Sequence, residues 1–288
     1  MKEIIIGVTI LIILSGLTSV NAEQNNSEIT KLSETLYVGG TGPGNYSTIW
    51  EAVINASDGD TVFVYDDSAP YIEHVSIYNQ IFLIGENKET TVIDGNGTGN
   101  VVNIAADFVT VSGFTIQNGE KGIYLDEQSN TTISDNIIID NNVHGIHYYS
   151  SCDYNTVTGN TVSNNGEIGI YFSSFAEHNI ISENLISNNL NGSSLAGFAY
   201  GEITGNSFED NTEYALTLRL WCNENKIHFN NFIGNGKDIM FFQSVLNRWS
   251  FNYWDRPRLL PKPIIGIILV FPWIKFDWRP LLTPHELQ

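Results

Sequence analysis

Between Gly122 and Trp254 the apolar and polar positions fall into columns that repeat six times. Apolar residues stand at Ile133, Val157, Ile181, Ile203, Ile227 and Trp249, and again at Ile138, Val162, Ile186, Phe208, Phe232 and Trp254. Between these columns, at steps of 22 to 24 residues, stand Asn136, Asn160, Asn184, Asn206, Asn230 and Asn252. A further asparagine follows five residues after each of the first five, at Asn141, Asn165, Asn189, Asn211 and Asn235. Repetition at this period marks a solenoid of stacked supersecondary units. Helical repeats would place apolar residues at i, i+3, i+4 and i+7. The chain alternates instead, as in Ile123-Tyr124-Leu125, with β-branched residues inside. The pattern therefore predicts an all-β parallel β-helix of about three short strands per coil, with coils stacked at the ~4.8 Å spacing of paired strands. An inward asparagine at the same bend of every coil can satisfy the backbone where the chain must turn inside the core.

Outside the repeats the pattern divides the chain into four parts. Residues 1–22 read as a signal peptide: Lys2, an apolar run from Ile4 to Leu14, and Val20-Asn21-Ala22 as a small-residue cleavage site. Residues 23–58 are a lead-in, polar and irregular to Leu36 and turn-like through Gly44. It ends in a helix from Ser47 to Ala56, capped by Ser47, with Ile49, Trp50, Val53 and Ile54 as its apolar face. An open β-helix end exposes core and strand edges, so a cap is expected there. Residues 59–255 form the solenoid, opening with strands at Thr61 to Tyr65, Tyr71 to Ile77, Gln80 to Gly85 and Thr91 to Gly95. Residues 256–288 read as an irregular apolar cap, in which Trp254, Phe271, Trp273 and Trp278 cover the last coil. The run Pro263 to Trp273 is too short, and too rich in proline, to span a membrane.

The opening coils resemble the pectin-lyase-like β-helix superfamily, in particular the β-helix repeat proteins grouped with the NosD copper-maturation family. The resemblance rests on Thr48-Ile49-Trp50-Glu51-Ala52-Val53, Gly59-Asp60-Thr61-Val62, Leu83-Ile84-Gly85-Glu86-Asn87, Val92-Ile93-Asp94-Gly95 and Val109-Thr110-Val111-Ser112-Gly113-Phe114-Thr115-Ile116. It implies a right-handed, single-stranded β-helix over roughly residues 37 to 254. It leaves function open, because this fold hosts lyases, hydrolases, epimerases, adhesins and accessory proteins.

A formal net charge of -19, with only 13 Lys and Arg, excludes a nucleic-acid partner, which would need a basic face. The leader and the sequons at Asn25, Asn45, Asn55, Asn96, Asn130 and Asn191 agree with a secreted or cell-surface protein. Cys152 and Cys222 occupy the same corner of coils three apart, about 14 Å at the stacking distance. That is beyond the reach of a disulfide.

Candidate chemistry lies on the outward columns. Aligning the first strand of each coil brings Tyr124, His147 and Tyr171 into one column and Asp126, Tyr149 and Arg219 into the next. Aromatic rings beside polar groups suit a polysaccharide or surface glycan; cross-strand pairing that shields the sheet is the alternative. The second strand presents Ser112, Ser134, Thr158, Ser182, Thr204, His228 and Ser250, ordinary sheet chemistry. Asp135 and Glu183, two coils apart with Gly159 between, stand about 10 Å from each other, at the edge of the separation that glycoside hydrolysis uses. No Lys or Arg occurs from Gly122 to Leu218, so the clamp and base of a lyase for anionic polymers are absent there. Copper would need clustered His, Cys or Met; His144 and His147, three apart on extended chain, are expected on opposite faces. No cofactor or metal is expected. The leading expectation is a non-catalytic surface β-helix that binds glycan or builds surface structure. The alternatives are a glycoside hydrolase or epimerase acting on a neutral polysaccharide, and a periplasmic metal-maturation accessory protein. A surface protein docking on the C-terminal tail is a further possible partner.

Overall fold

The computed structural model describes residues 33–287, and the signal-peptide reading of residues 1–22 lies outside them. The described chain is an all-β solenoid of about ten turns built from three long sheets. Each coil supplies one strand to each face. In one coil these are Lys121–Leu125 on the first face, Thr132–Ser134 on the second and Ile137–Ile139 on the third. Strands pair in parallel with their counterparts one coil away, so Ile133 stands beside Val157 and Ile138 beside Val162. The apolar columns read from the sequence are the core: Ile133, Val157, Ile203, Ile227, Ile138, Val162, Ile186, Phe208 and Phe232 are fully buried.

The asparagines form ladders at the bends. Asn160 Oδ1 accepts from the backbone N–H of Asn136 at 3.0 Å, and Asn160 Nδ2 donates to the Ile133 carbonyl at 2.8 Å and to Asn184 Oδ1 at 3.0 Å. The second ladder, Asn141 to Asn235, repeats the arrangement at the bend from the third face to the next coil. A third ladder, not read from the sequence as such, runs at the bend from the first face to the second. Here Thr131 N–H donates to Asn155, Asn155 N–H to Asn179, Gly201 N–H to Asn225 and Asn225 N–H to Asn247. The ladders thus pair backbone groups at the buried bends, as an irregular turn inside a core requires. The third is interrupted at Gly201, which offers no side-chain oxygen, and the buried Asn179 Nδ2 beside it has no partner among the described residues.

Three sequence expectations change. Thr35–Val38 is a strand that pairs with Thr61–Val64, so the start of the described chain already belongs to the solenoid. The helix spans Ile49–Asn55 and is capped by Thr48, whose hydroxyl accepts from Glu51 N–H; Ser47 Oγ instead donates to the Glu51 carboxylate. Its buried face is Ile49, Ala52 and Val53, while Trp50 and Ile54 are exposed. The small Ala52 lets the helix backbone sit close over the open coil.

The tail, expected to be irregular, is a β-hairpin. Lys262–Ile268 extends the first face in parallel beside Lys237–Phe242, and Phe271–Asp277 returns antiparallel. Trp254 is buried as expected, whereas Phe271, Trp273 and Trp278 are largely exposed; Trp278 lines a concavity with Trp249 of the last coil. Asp277 closes it. Its buried Oδ2 accepts from Asn252 N–H at 3.1 Å, Asn252 Nδ2 at 3.0 Å and Trp254 Nε1 at 3.1 Å, where another asparagine oxygen would stand if the ladder continued.

Candidate functional site

The first face carries the columns predicted for it. Tyr124 pairs with Asn103 and His147, His147 with Tyr171, Tyr171 with Ser194, and Arg219 with Ala196 and Phe242. Tyr124, His147 and Tyr171 pack on one another. His147 stacks on Tyr171 with ring centroids 4.7 Å apart, and Tyr124 meets His147 edge-on at 5.4 Å. Most ring surface in this group is therefore spent on neighbouring rings. Tyr149, beside them, is half exposed; it meets His147 edge-on at 5.9 Å and Tyr124 at a tilt at 6.4 Å, with no ring stacked on it. Arg219 turns along the sheet and donates to Ser194 Oγ at 3.1 Å. Asp126 stands at the exposed margin of this face.

His144 joins the group, which overturns the expectation that it faces away from His147. Their ring centroids are 5.0 Å apart, and His144 also meets Tyr171 at 5.0 Å. Alternation breaks at Gly145. A Cβ there would point inward and come within 2.6 Å of Val162 Cγ1 and 2.7 Å of the Gly169 carbonyl, while the next residue, Ile146, is also buried. Two successive inward residues return the third to the outer face. Gly122, Gly169 and Gly192 repeat this step in neighbouring coils, each with its missing Cβ aimed at an asparagine of the second ladder. Both imidazoles are buried on their Nδ1 side, and neither Nδ1 has a hydrogen-bond partner. Burial pushes His144 down and, with His144 and Lys121 nearby, holds His147 at about 3, so both rings are neutral at pH 7.

A second aromatic array, not anticipated from the sequence, follows the bend between the first and second faces. Tyr154, His178 and Tyr200 stack in successive coils with centroids 4.9 and 5.5 Å apart, all three exposed. Each precedes a residue of the third ladder (Asn155, Asn179, Gly201) and adopts positive φ, between 54° and 58°. Beside them Phe175 and Trp221 are 63% and 62% exposed and make no ring contact among the described residues. With Tyr149 they present unstacked ring faces along the rim. The 22- to 24-residue step of Tyr154, His178 and Tyr200 was legible; its exposure was not, because it depends on a left-handed bend. Asp153 and Glu177 add carboxylates to the same rim, and Asp153 Oδ1 accepts from Glu177 N–H at 2.7 Å.

Asp135 and Glu183 lie at a different bend, between the second and third faces, both at positive φ. Each carboxylate leans over the glycine of the following coil, Gly159 and Gly205, where a Cβ would collide with it. Glu183 also lies 3.9 Å from His285 Nε2. His228 Nε2 meets Glu202 at 2.7 Å on the second face.

Cys152 and Cys222 are both free and buried, their thiols donating to the carbonyls of Ser150 and Leu195 at 3.1 Å. Met240 stands four coils along the column from His147, with Tyr171, Ser194 and Thr217 between them. Among the described residues no three His, Cys, Asp or Glu side chains converge as metal ligands, and no helix is long and apolar enough to cross a membrane.

A search of curated proteins found no significant match. Among solved structures, alginate lyase from Paenibacillus sp. str. FPU-7 matches with a TM-score of 0.60 at 14% identity, covering 82% of this chain and 91% of that one. The Dettilon tailspike protein matches with a TM-score of 0.58 at 12% identity, covering 76% of this chain; the chain spans about half of the tailspike, 50% of its length. At such identities these likenesses show the fold alone, a right-handed parallel β-helix. The family described as periplasmic copper-binding protein (NosD) matches residues 53–259, well over half of the sequence. The chain belongs to the NosD family.

Proposed function

We propose that this protein is an exported β-helix that binds a neutral glycan along the rim between its first and second faces, without turning it over. The observation that carries the reading is the exposure of Tyr149, Phe175 and Trp221, each at the end of the first face in a different coil, together with the exposed Tyr154–His178–Tyr200 stack. Sugar rings pack on exposed aromatic faces, and hydroxyls and carboxylates at the margin accept and donate hydrogen bonds to them. Coils repeat at about the rise of one sugar ring, ~4.8 Å, so an extended chain laid along the axis meets the same chemistry repeatedly. Asp126, Asp153 and Glu177 disfavour an anionic polymer here, and Arg219 is the lone cation in the sequence between Gly122 and Cys222. Of the columns first singled out, Tyr149 contributes a ring face, whereas Tyr124, His147 and Tyr171 support the rim from within. The fold shared with an alginate lyase is compatible with a polysaccharide lying lengthwise.

The family's description implies copper, and the donors present do not fit it. Among the described residues, two imidazoles without a third ligand, thiols turned into the core and a methionine four coils away make no cage for a soft metal. No step is assigned to the metal.

A glycan array and a turnover assay, run on the same protein, test the reading. Trp221→Ala and Phe175→Ala should each weaken binding several-fold without moving the melting temperature, because both side chains are exposed. Tyr171→Ala should lower melting instead. Release of product from any bound glycan, or full binding by the Trp221→Ala/Phe175→Ala double variant, would overturn it.

A further inference from the structure

The hairpin at Lys262–Asp277 exposes an apolar face that the solenoid does not use. Its outward pairs are Pro263 with Phe276, Ile265 with Ile274 and Ile267 with Pro272, so three rungs of the ribbon carry no polar side chain. Leu269 and Val270 form the tip, 67% and 81% exposed, and Trp278 continues the face beyond Phe276, its ring 5.1 Å away. Ile265, Ile274 and Trp278 are themselves 62%, 52% and 68% exposed. Monomeric soluble proteins rarely leave contiguous apolar patches above a few hundred Å² uncovered.

Charge says what covers it. Residues 256–288 carry five basic and two acidic side chains, whereas residues 1–255 carry eight basic and thirty acidic ones. Positive charge is thus concentrated around the apolar hairpin, although one of the five cations, Lys262, is paired with Asp238 at 2.7 Å. Arg248 and Lys275 line a shallow concavity at the edge of the outer strand, together with Trp249, Ile274, Phe276 and Trp278; Lys275 pairs with Ile264 on the inward face, so these cations flank the apolar face rather than lie on it. A second copy of this chain would bring like charges together. Edge-to-edge pairing of the outer strand is also opposed by Pro272, which removes a donor near its start. Apolar tip, tryptophans at the margin and cations behind them match the layers of an anionic bilayer surface from acyl chain to headgroup. The outer strand keeps unpaired backbone groups, which confines the ribbon to the hydrated interface rather than the hydrocarbon core.

We infer that the hairpin is a membrane-surface anchor that seats the C-terminal end of the solenoid on anionic lipid. This goes beyond the glycan reading and does not depend on it.

The test is flotation of the full-length protein with phosphatidylglycerol/phosphatidylcholine vesicles and with phosphatidylcholine alone, combined with quenching of tryptophan fluorescence by lipids brominated on the acyl chain. Wild-type protein should float with the anionic vesicles and be quenched. The double variant Leu269→Asp/Val270→Asp should lose partitioning by about tenfold or more, the worth of one buried aliphatic side chain, at unchanged melting temperature. Arg248→Glu/Lys275→Glu should abolish the preference for the anionic vesicles. Residues 1–32 are common to all variants, so equal flotation and quenching of wild type and tip variant would overturn the inference. So would a hairpin-dependent dimer, or a hairpin-dependent protein partner, in the absence of vesicle binding.

Discussion

Replacing Asn160 by alanine isolates the energetics of the first ladder. The side chain is buried, and five hydrogen bonds pass through it. Nδ2 donates to Ile133 O, Thr158 O and Asn184 Oδ1, and Oδ1 accepts from the backbone N–H and the side-chain Nδ2 of Asn136. Some of these groups keep other partners: Thr158 O still accepts from Asp135 N–H, Asn136 Nδ2 still donates to Val111 O, and Asn184 Oδ1 still accepts from Asn160 N–H. Asn136 N–H and Ile133 O lose the side-chain partner. Each buried group so stranded costs about 1–3 kcal/mol, so the variant should lose roughly 2–6 kcal/mol, at the upper end of single-residue effects. For a chain of this size each kcal/mol moves melting by about 2–4 °C. Urea and thermal unfolding, followed by far-ultraviolet circular dichroism, read both quantities. The comparison variant is Thr212→Ala at an exposed position, expected within about 0.5 kcal/mol of wild type. Ser163→Ala would be a poor control, since Ser163 is buried on the third face. If Asn160→Ala and Thr212→Ala shift unfolding equally, the ladder does not hold the bends together and the argument fails.

Asp277→Ala should cost a comparable amount, because Asn252 N–H, Asn252 Nδ2 and Trp254 Nε1 share its Oδ2; a loss under about 0.5 kcal/mol in urea unfolding would show that the last coil needs no acceptor. His147 is held at about 3 in the folded protein against about 6.5 unfolded, so the unfolded chain binds a proton that the folded one refuses. That stability is fully present above pH 6.5 and lost as pH falls toward 3, about 2 kcal/mol of it by pH 5; His147→Phe should flatten the urea-midpoint slope between pH 7.5 and 5, and an unchanged slope would contradict the burial argument. Burial raises both thiols to about 11, so native protein should resist alkylation while denatured protein takes up two labels, and a Cys152–Cys222 cross-linked peptide in non-reducing mass spectrometry would break the coil register.

The period of the apolar and asparagine columns was enough to determine the fold, the register and the first two ladders. In a stacked solenoid each coil repeats the environment of its neighbour, so spacing along the chain translates directly into position in space. The same logic placed Tyr124, His147 and Tyr171 in one column and Asp135, Gly159 and Glu183 in another. What it could not supply was anything that depends on departures from simple alternation. His144 reaches His147 because Gly145 and Ile146 both turn inward, a step forced by the asparagine packed against Gly145. The Tyr154–His178–Tyr200 row projects outward because its residues take the left-handed conformation at a bend, which residue type alone does not announce. The C-terminal segment read as irregular because its prolines break the local pattern. It becomes a hairpin only where the last coil offers Lys237–Phe242 as an edge to extend and Asn252 and Trp254 as donors for Asp277. Local periodicity set the repeating body, and tertiary contacts at its bends and its end decided which surfaces are left to bind.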